Sequence, residues 1–375
     1  GIEGAPAEGD PVDVVDPNGN FIGAGFYSPR SAIPVRIMSR TPGEKLDGAA
    51  IGRRLDAAAR FRREVLGIPS NPREGYRLVH GEGDDLPGLI VDVFGDAAVV
   101  QIVTAGMDRR REEIVGHVAR VTRAKHVLSA PVDARANEGV HSEYALLRGP
   151  AFERFEFEDR GFEIQLPAEL MQKTGYYFDQ RDNRAKVERL ARGRRVLDAF
   201  SYVGSFGLAA ARGGAEHVVC LDRSGAAIAA GAAIAAHHGL ADKMEHRVGD
   251  TRKELEALYR RGERFDLVVL DPPKFAPTRK HLDAALRAYR RVNYEGMRLL
   301  APGGVLVTCS CSAAMRGDAF QRMLALAAAD AKRRVVIFDF GTQAPDHPHP
   351  VGFPEGRYLD VIFARVDPLE DEKGA

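Results

Sequence analysis

Three carboxylates, two thiols and one glycine turn carry the chemistry open to this chain. Asp271-Pro-Pro-Lys-Phe275 closes one apolar run, and Thr308-Cys-Ser-Cys-Ser312 closes another. Paired prolines lack amide donors and restrict the backbone, so Asp271 is expected to be rigid and exposed, offering its carboxylate to the edge of a planar base. Cys309 and Cys311 are two apart and share one face of a strand. Without further Cys or spaced His they make a poor zinc site. They are therefore either small core residues or include a nucleophile at the strand tip. Asp198-Ala-Phe-Ser-Tyr-Val-Gly-Ser-Phe-Gly207 reads as strand, tight turn and helix start, where a backbone can approach a ligand and helix amides point outward. Asp222 ends the next strand and suits a ribose diol. Gly204-x-x-Gly207 is not GxGxxG and offers no pyrophosphate cradle, so a single nucleoside such as S-adenosylmethionine is expected rather than a dinucleotide.

These residues need a parallel sheet to bring them to one edge. From Arg195 onward strands and helices alternate, with strands at Arg195 to Phe200, His217 to Asp222, Glu245 to Gly249, Phe265 to Asp271, Val305 to Cys309, Arg334 to Phe340 and Tyr358 to Val366. A proline-containing link predicts an antiparallel hairpin edge from the last two. Upstream, Val12 to Asp16 and Phe21 to Tyr27 flank Pro-Asn-Gly-Asn, a hairpin signal, and a helix is predicted over 48–66 with Ile51, Leu55, Ala58, Phe61 and Leu66 on one face and arginines on the other, solvated one. Strands at Tyr76 to His80, Leu89 to Phe94, Ala97 to Val103 and His126 to Ser129, around a helix at 109–121, predict an α+β middle domain. The division is 1–73, 74–165 and 166–375. Cys220 reads as core, and His347 and His349, in a proline-rich loop, as cleft-lining residues.

Composition narrows the class. The chain has 375 residues, 45% hydrophobic and 28% charged, which suits two or three soluble domains. No apolar run reaches the ~20 residues needed to span a bilayer. Three cysteines argue against a disulfide framework and for a reducing cytoplasm. With 53 basic and 53 acidic side chains, bulk charge announces no nucleic acid, so any such partner must be held by local runs. The candidates are Arg53, Arg54, Arg60, Arg62, Arg63 and Arg73; Arg181, Arg184, Arg194 and Arg195; and Arg279, Lys280, Arg287, Arg290 and Arg291. The start lacks both a Met and a signal-peptide pattern.

Taken together, Asp198 to Gly207, Asp222, Asp250, Asp271 to Phe275 and Ser310-Cys-Ser312 resemble the S-adenosylmethionine-dependent methyltransferases of bacterial 23S ribosomal RNA. The match is to the cytosine carbon-5 group with an N-terminal PUA domain. Gln172 to Gly175, Asp179 to Arg184, Asp346-His-Pro348, Pro354-Glu355 and Tyr358-Leu359 extend it over nearly the whole chain. The resemblance implies an α/β fold. A Rossmann-like class I methyltransferase domain with a seven-stranded, mostly parallel sheet follows a small PUA domain, its first strand trimmed, and the α+β domain. It implies covalent methyl transfer to a flipped-out cytosine. Cys311, Asp271 and Lys274 are the catalytic candidates. Counting without gaps from Gly303-Gly304 favours Cys311, with Cys309 the rival. Asp198, Phe200, Ser201, Tyr202, Gly204, Asp222, Arg223, Asp250, Asp271, Gln180 and Arg181 are the cofactor candidates. The expected partner is large-subunit ribosomal RNA, with no metal and no membrane, and a homodimer is among the assemblies open to it. The alternatives are methylation of a guanine nitrogen, which needs neither thiol, and a non-enzymatic RNA-binding assembly factor. Lys274 stands where many relatives carry a second Cys, His238 where an Asn is usual, and Asp360 where a Lys is usual.

Overall fold

The strands that alternate with helices from Arg195 onward form one seven-stranded sheet in the computed structural model of the chain. Residues 3–133, 139–172, 175–275, 282–312 and 315–369 are described; Arg279, Lys280, Lys173, Thr174 and the tail from 370 lie outside them. Two compact units divide the chain: Gly1–Asp179 with Pro345–Gly356, and Gln180–Ala344 with Arg357–Ala375. The sequence-based boundary at 166 thus lies upstream of the point where the second unit begins.

In the second unit the strands, labelled in chain order, are β1 (Arg195–Ala199), β2 (His217–Asp222), β3 (Met244–Val248), β4 (Phe265–Leu270), β5 (Leu300–Ser310), β6 (Arg333–Gly341) and β7 (Asp360–Pro368). Their order across the sheet is β3-β2-β1-β4-β5-β7-β6. The first five run parallel, and β7 is antiparallel to both β5 and β6. The expected hairpin edge is present, with β7 inserted between β5 and β6. The helices are α1 (Arg181–Leu190), α2 (Ser205–Arg212), α3 (Gly225–His237), α4 (Thr251–Arg260), α5 (Leu282–Leu299) and α6 (Asp318–Asp330). The central strands β1 and β4 are buried almost throughout, as strands covered on both faces must be. Leu197, Val268, Leu306, Tyr289, Phe320 and Met323 belong to one buried core.

The first unit holds a three-stranded antiparallel sheet (Pro11–Val15, Phe21–Tyr27, Val35–Ser39) and a five-stranded sheet with strands Tyr76–His80, Leu89–Phe94, Ala97–Ile102, His126–Ser129 and Ala145–Arg148. The helix predicted over 48–66 is α-helical to Arg60 and continues as a π-helical turn to Leu66. Phe26, Met38, Ile51, Leu78, Val91 and Val118 share one core, so the two sheets expected in separate domains pack as one body.

Arg62 is fully buried in this unit and not part of a basic surface run. Its guanidinium makes a fork onto Asp84, with Nη2 to Oδ2 at 2.9 Å, and Nη2 also reaches the Asp346 carbonyl at 2.8 Å. Asp346 in turn accepts from the Arg77 amide at 3.0 Å and pairs with His347 Nδ1 at 2.8 Å. Neighbouring His80 is pushed down to about 2, first by burial and then by Arg77 and His347, so it stays neutral. His347 is therefore a buried packing residue and not a cleft-lining one. Arg62→Ala strips the cation from buried Asp84 and should cost about 3–5 kcal/mol in denaturant unfolding. Arg62→Lys should recover only part of that, because an ammonium cannot make the fork.

Candidate active site

Because β1 to β5 run parallel, their carboxyl ends share one edge of the sheet, where open α/β sheets bind ligands. Asp198 sits on β1 opposite Cys220 of β2 and Val269 of β4, 1% exposed. The turn after it is contorted. Phe200, Tyr202 and Gly204 have φ of 62°, 53° and 73°, and for the two non-glycine residues such backbone costs about 1–3 kcal/mol each. Asp222 holds the turn: Oδ2 accepts from the Tyr202 amide at 3.0 Å and Oδ1 from the Ser224 amide at 2.8 Å. The Ser201 amide adds a bond to the Leu221 carbonyl at 3.1 Å. Hydrogen bonds to a charged group contribute about 1.5–3 kcal/mol each, enough to offset the strain.

Asp198 fixes the far side of the turn, its Oδ2 accepting from the Gly207 amide at 2.8 Å. A Cβ on Gly207 would collide with Cys220 Sγ, and one on Gly204 would sit 3.1 Å from it. Cys220 is core, as expected, and its bulk is what demands glycine above it. Asp250 caps α4 through Oδ1, which accepts from the Arg252 and Lys253 amides at 3.1 and 3.3 Å.

On β4 and β5 the structure gathers a second group. Asp271 is half-buried just past β4, and its Oδ2 accepts from Gln180 Nε2 at 3.2 Å. Gln180 is 3% exposed, and its Oε1 accepts from Asn183 Nδ2 at 2.7 Å. Cys309 is fully buried beside this pair; burial, then the Asp271 charge, pushes its thiol well up. Cys311, one residue beyond β5, is half-buried. Phe275 stacks edge-on against Tyr289 at 4.9 Å and faces Phe200 at 6.5 Å, so its ring links the Asp271 loop to the β1 turn. Tyr289 is fully buried; burial, and next the Cys311 thiol, push its phenol up.

A family model for S-adenosylmethionine-dependent methyltransferases matches residues 105–347, and one for a PUA-like domain matches residues 1–40. The chain belongs to the S-adenosylmethionine-dependent methyltransferase family. It is 39% identical over 367 residues to a protein of Shewanella denitrificans named Ribosomal RNA large subunit methyltransferase I, covering 97% of this chain and 92% of the relative. A solved Streptococcus mutans protein, assigned as a S-adenosylmethionine-dependent methyltransferase, superposes with a TM-score of 0.82 at 20% identity, over 96% of this chain and 93% of that one. Another assigned methyltransferase, solved with SAH, gives 0.82 at 21%, over 96% and 92%. These two likenesses establish the fold.

As a methyltransferase of this family the chain uses S-adenosylmethionine, and its residues fit that molecule. Asp198 Oδ1 and Ser201 Oγ are buried and have no hydrogen-bond partner among the described residues, so the β1 turn presents unused polar atoms where an ammonium or carboxylate can bind. A carboxylate has about four lone-pair sites, so Asp222 can accept ribose hydroxyls beyond its two amides. Lys274 and Arg223 are exposed, and their side chains make no hydrogen bond or ion pair among the described residues. Arg181 and Arg184, read as surface cations, are 6% and 3% exposed. Asn183 lies inside the Asp179 to Arg184 stretch, where the sequence assigns it no role, and Tyr289 escapes sequence reading because an aromatic on an apolar helix face carries no motif.

Burial raises the Asp198 carboxyl to about 7, with the Gly207 amide opposing and the Asp271 and Asp222 charges adding. Its ionised form is the one that can hold an ammonium, so S-adenosylmethionine affinity should climb about tenfold from about pH 6 to about pH 8. Calorimetry across that range checks this, and Asp198→Asn should bind weakly with no slope.

Proposed function

We propose that the chain methylates carbon 5 of a cytosine in large-subunit ribosomal RNA through a covalent adduct to Cys311. The observation that carries the reading is the contrast between Cys309, in β5, and Cys311, just past its end. Cys309 is sealed in the core with its thiol pushed well up, while Cys311 stands partly exposed past the strand end, beside the loop that carries Asp271. The name borne by relatives such as that of Shewanella denitrificans supports the ribosomal RNA substrate.

Carbon 5 of cytosine is a weak nucleophile. The Cys311 thiolate adds to carbon 6, forming a carbon–sulfur bond and moving the ring electrons to an enamine whose carbon 5 can attack. S-adenosylmethionine supplies the electrophilic methyl on its sulfonium and leaves as S-adenosylhomocysteine. Asp271 gives a proton to the ring nitrogen as the thiolate adds, accepts from the exocyclic amine, and takes the proton back when the thiolate is expelled. A base then removes the carbon-5 proton, the carbon 5–carbon 6 double bond re-forms, and the Cys311 thiolate is expelled. Lys274 sits in the Asp271 loop as its cation. Asp198, Phe200, Ser201, Tyr202, Gly204, Asp222, Arg223 and Asp250 line the donor side, and the base must leave its stack to reach the other. The three free cysteines suit a reducing cytoplasm.

Methyl transfer to large-subunit RNA, read by mass mapping of the product nucleoside, tests this. Cys311→Ala should abolish 5-methylcytosine, Cys309→Ala should retain it, and Asp271→Asn should lower kcat by about 10²–10⁴. Full turnover by Cys311→Ala would sink the covalent mechanism and favour a target, such as a guanine nitrogen, that needs no thiol.

A further inference from the structure

Arginines crowd the edge of the sheet opposite the one that carries Asp271. β1, β4, β5 and β6 all run the same way. At their amino ends, Arg195 opens β1, Arg264 precedes β4, Arg298 lies just before β5 and Arg333 opens β6. Between these strand starts, guanidiniums and tyrosine rings alternate. Arg264 lies 4.8 Å from the Tyr259 ring centroid, and Arg298 lies 3.5 Å from the same centroid. Arg298 is also 5.1 Å from the Tyr294 ring centroid, and Arg291 is 5.3 Å from it. The sequence Arg264, Tyr259, Arg298, Tyr294, Arg291 is thus one ladder, joining the end of α4, the approach to β4 and the second half of α5.

The ladder is pinned from below. Glu295, with a side chain 2% exposed, pairs with Arg291 at 2.6 Å and with Arg298 at 3.2 Å. That pairing seals neither arginine, since their side chains stay 57% and 23% exposed. Cations at a helix end complement its dipole, which accounts for Arg260 and Arg298. It does not account for Arg264, which lies outside a helix, or for Arg291, which lies inside α5. Glu256 pairs with Arg260 and Glu263 with Arg261, but Arg264 and Arg333 pair with no carboxylate among the described residues. Arg298 at the phenol, and beyond it Arg264 and Arg333, hold the Tyr259 hydroxyl below its ordinary range, as a local excess of cations must.

We propose that the ladder of Arg264, Arg298 and Arg291 is a docking surface for the phosphodiester backbone of the RNA substrate, gripping it away from the nucleotide being methylated. This rests on the RNA substrate proposed above, though not on the identity of its target base. The chain as a whole carries no net charge, so a polyanion must be held by a local excess of this kind. A guanidinium stacked on a ring is held in a fixed plane, and its fork of N–H groups matches two phosphate oxygens at once. Guanidiniums rather than bases occupy the Tyr259 and Tyr294 rings, so the surface holds backbone and reads no sequence.

A large-subunit RNA transcript is the probe. Replacing two rungs together, Arg264→Gln with Arg291→Gln, should raise its Kd and its methylation KM about tenfold and flatten the slope of log Kd against log salt by about 1 to 2. The kcat and the S-adenosylmethionine Kd should stay within about twofold, because the methyl site is on the other edge. Arg264→Lys with Arg291→Lys keeps both charges and should return the salt slope but not the whole affinity, since an ammonium cannot make the fork. A folded double Gln variant with lowered thermal stability but an unchanged RNA Kd and salt slope overturns the proposal. Ultraviolet cross-linking of wild-type protein to the same transcript, mapped by mass spectrometry, needs no variant. Cross-links should fall on Tyr259 or Tyr294; their absence from both, with the RNA bound and methylated, overturns the proposal even if the double variant fails to fold. If the ladder proves necessary for RNA binding but wild-type protein makes no 5-methylcytosine, the docking surface stands and the reading of the reaction falls. If wild-type protein does not bind the transcript, both fall.

Discussion

The contact between Asp222 and the turn after β1 is the constraint on which the site depends. Two left-handed non-glycine residues in three positions would not persist in an isolated segment. They persist because the Asp222 carboxylate receives the Tyr202 and Ser224 amides, and because Asp198 receives the Gly207 amide from the first turn of α2. Two acids on adjacent parallel strands therefore grip one loop from both ends. The register that pairs Ala199 with Leu221 sets their separation, so strand pairing and turn shape are one decision. Asp198 Oδ1 keeps no hydrogen-bond partner among the described residues, so on the proposed reading the loop's support and the donor site are a single structure.

The second half of the site obeys a different economy. Asp271 and Cys309 are brought close by parallel pairing of β4 with β5, where Leu270 lies opposite Thr308. Such pairing delivers side chains to an edge but does not orient them. Orientation comes from the amide chain behind Asp271 and from the Phe275 ring, which packs on Tyr289 and faces Phe200. The β1 turn is shaped by backbone strain held by carboxylates, the surroundings of Asp271 by buried amides and rings.

Much of the fold was legible because its signals are local. Strands such as Tyr76–His80, Leu89–Phe94 and His217–Asp222 announce themselves by apolar runs that stop at turn residues, and the α/β alternation implies the parallel sheet. What stayed hidden is set by partners distant in sequence. Arg62 sits in a run of arginines that reads as a solvated face, yet it is sealed against Asp84 and the carbonyl of Asp346, which lies 284 residues away. Asp346 and His347 have the residue types of a reactive pair, but with both buried and satisfied they bind the Pro345–Gly356 segment to the first unit. Asp360, where the family pattern leads one to expect Lys, accepts the Gly317 amide and the Arg357 guanidinium, each at 2.8 Å, which a cation could not do. Periodicity carries burial along one element; it carries nothing about which charge meets which.

Cys309 in β5 and Cys311 just past it show how a two-residue offset changes a thiol's surroundings. Both fall on one face, and alternation alone makes them equivalent. The end of the strand breaks the equivalence. Cys309 is still paired within the sheet, opposite Val361 on β7, and has core on every side; desolvation raises its thiol and the Asp271 charge beside it raises it again. The Gln180 amide is the group there that favours a thiolate, and Asp271 already engages it. Cys311 lies past the last sheet pair, where part of its surface meets solvent and the desolvation cost falls. A nucleophile must reach an entering base as a thiolate and then leave it again, and both steps are easier where the charge is partly solvated. For the covalent mechanism proposed above, burial favours the second cysteine on physical grounds that do not depend on counting from the Gly303-Gly304 turn.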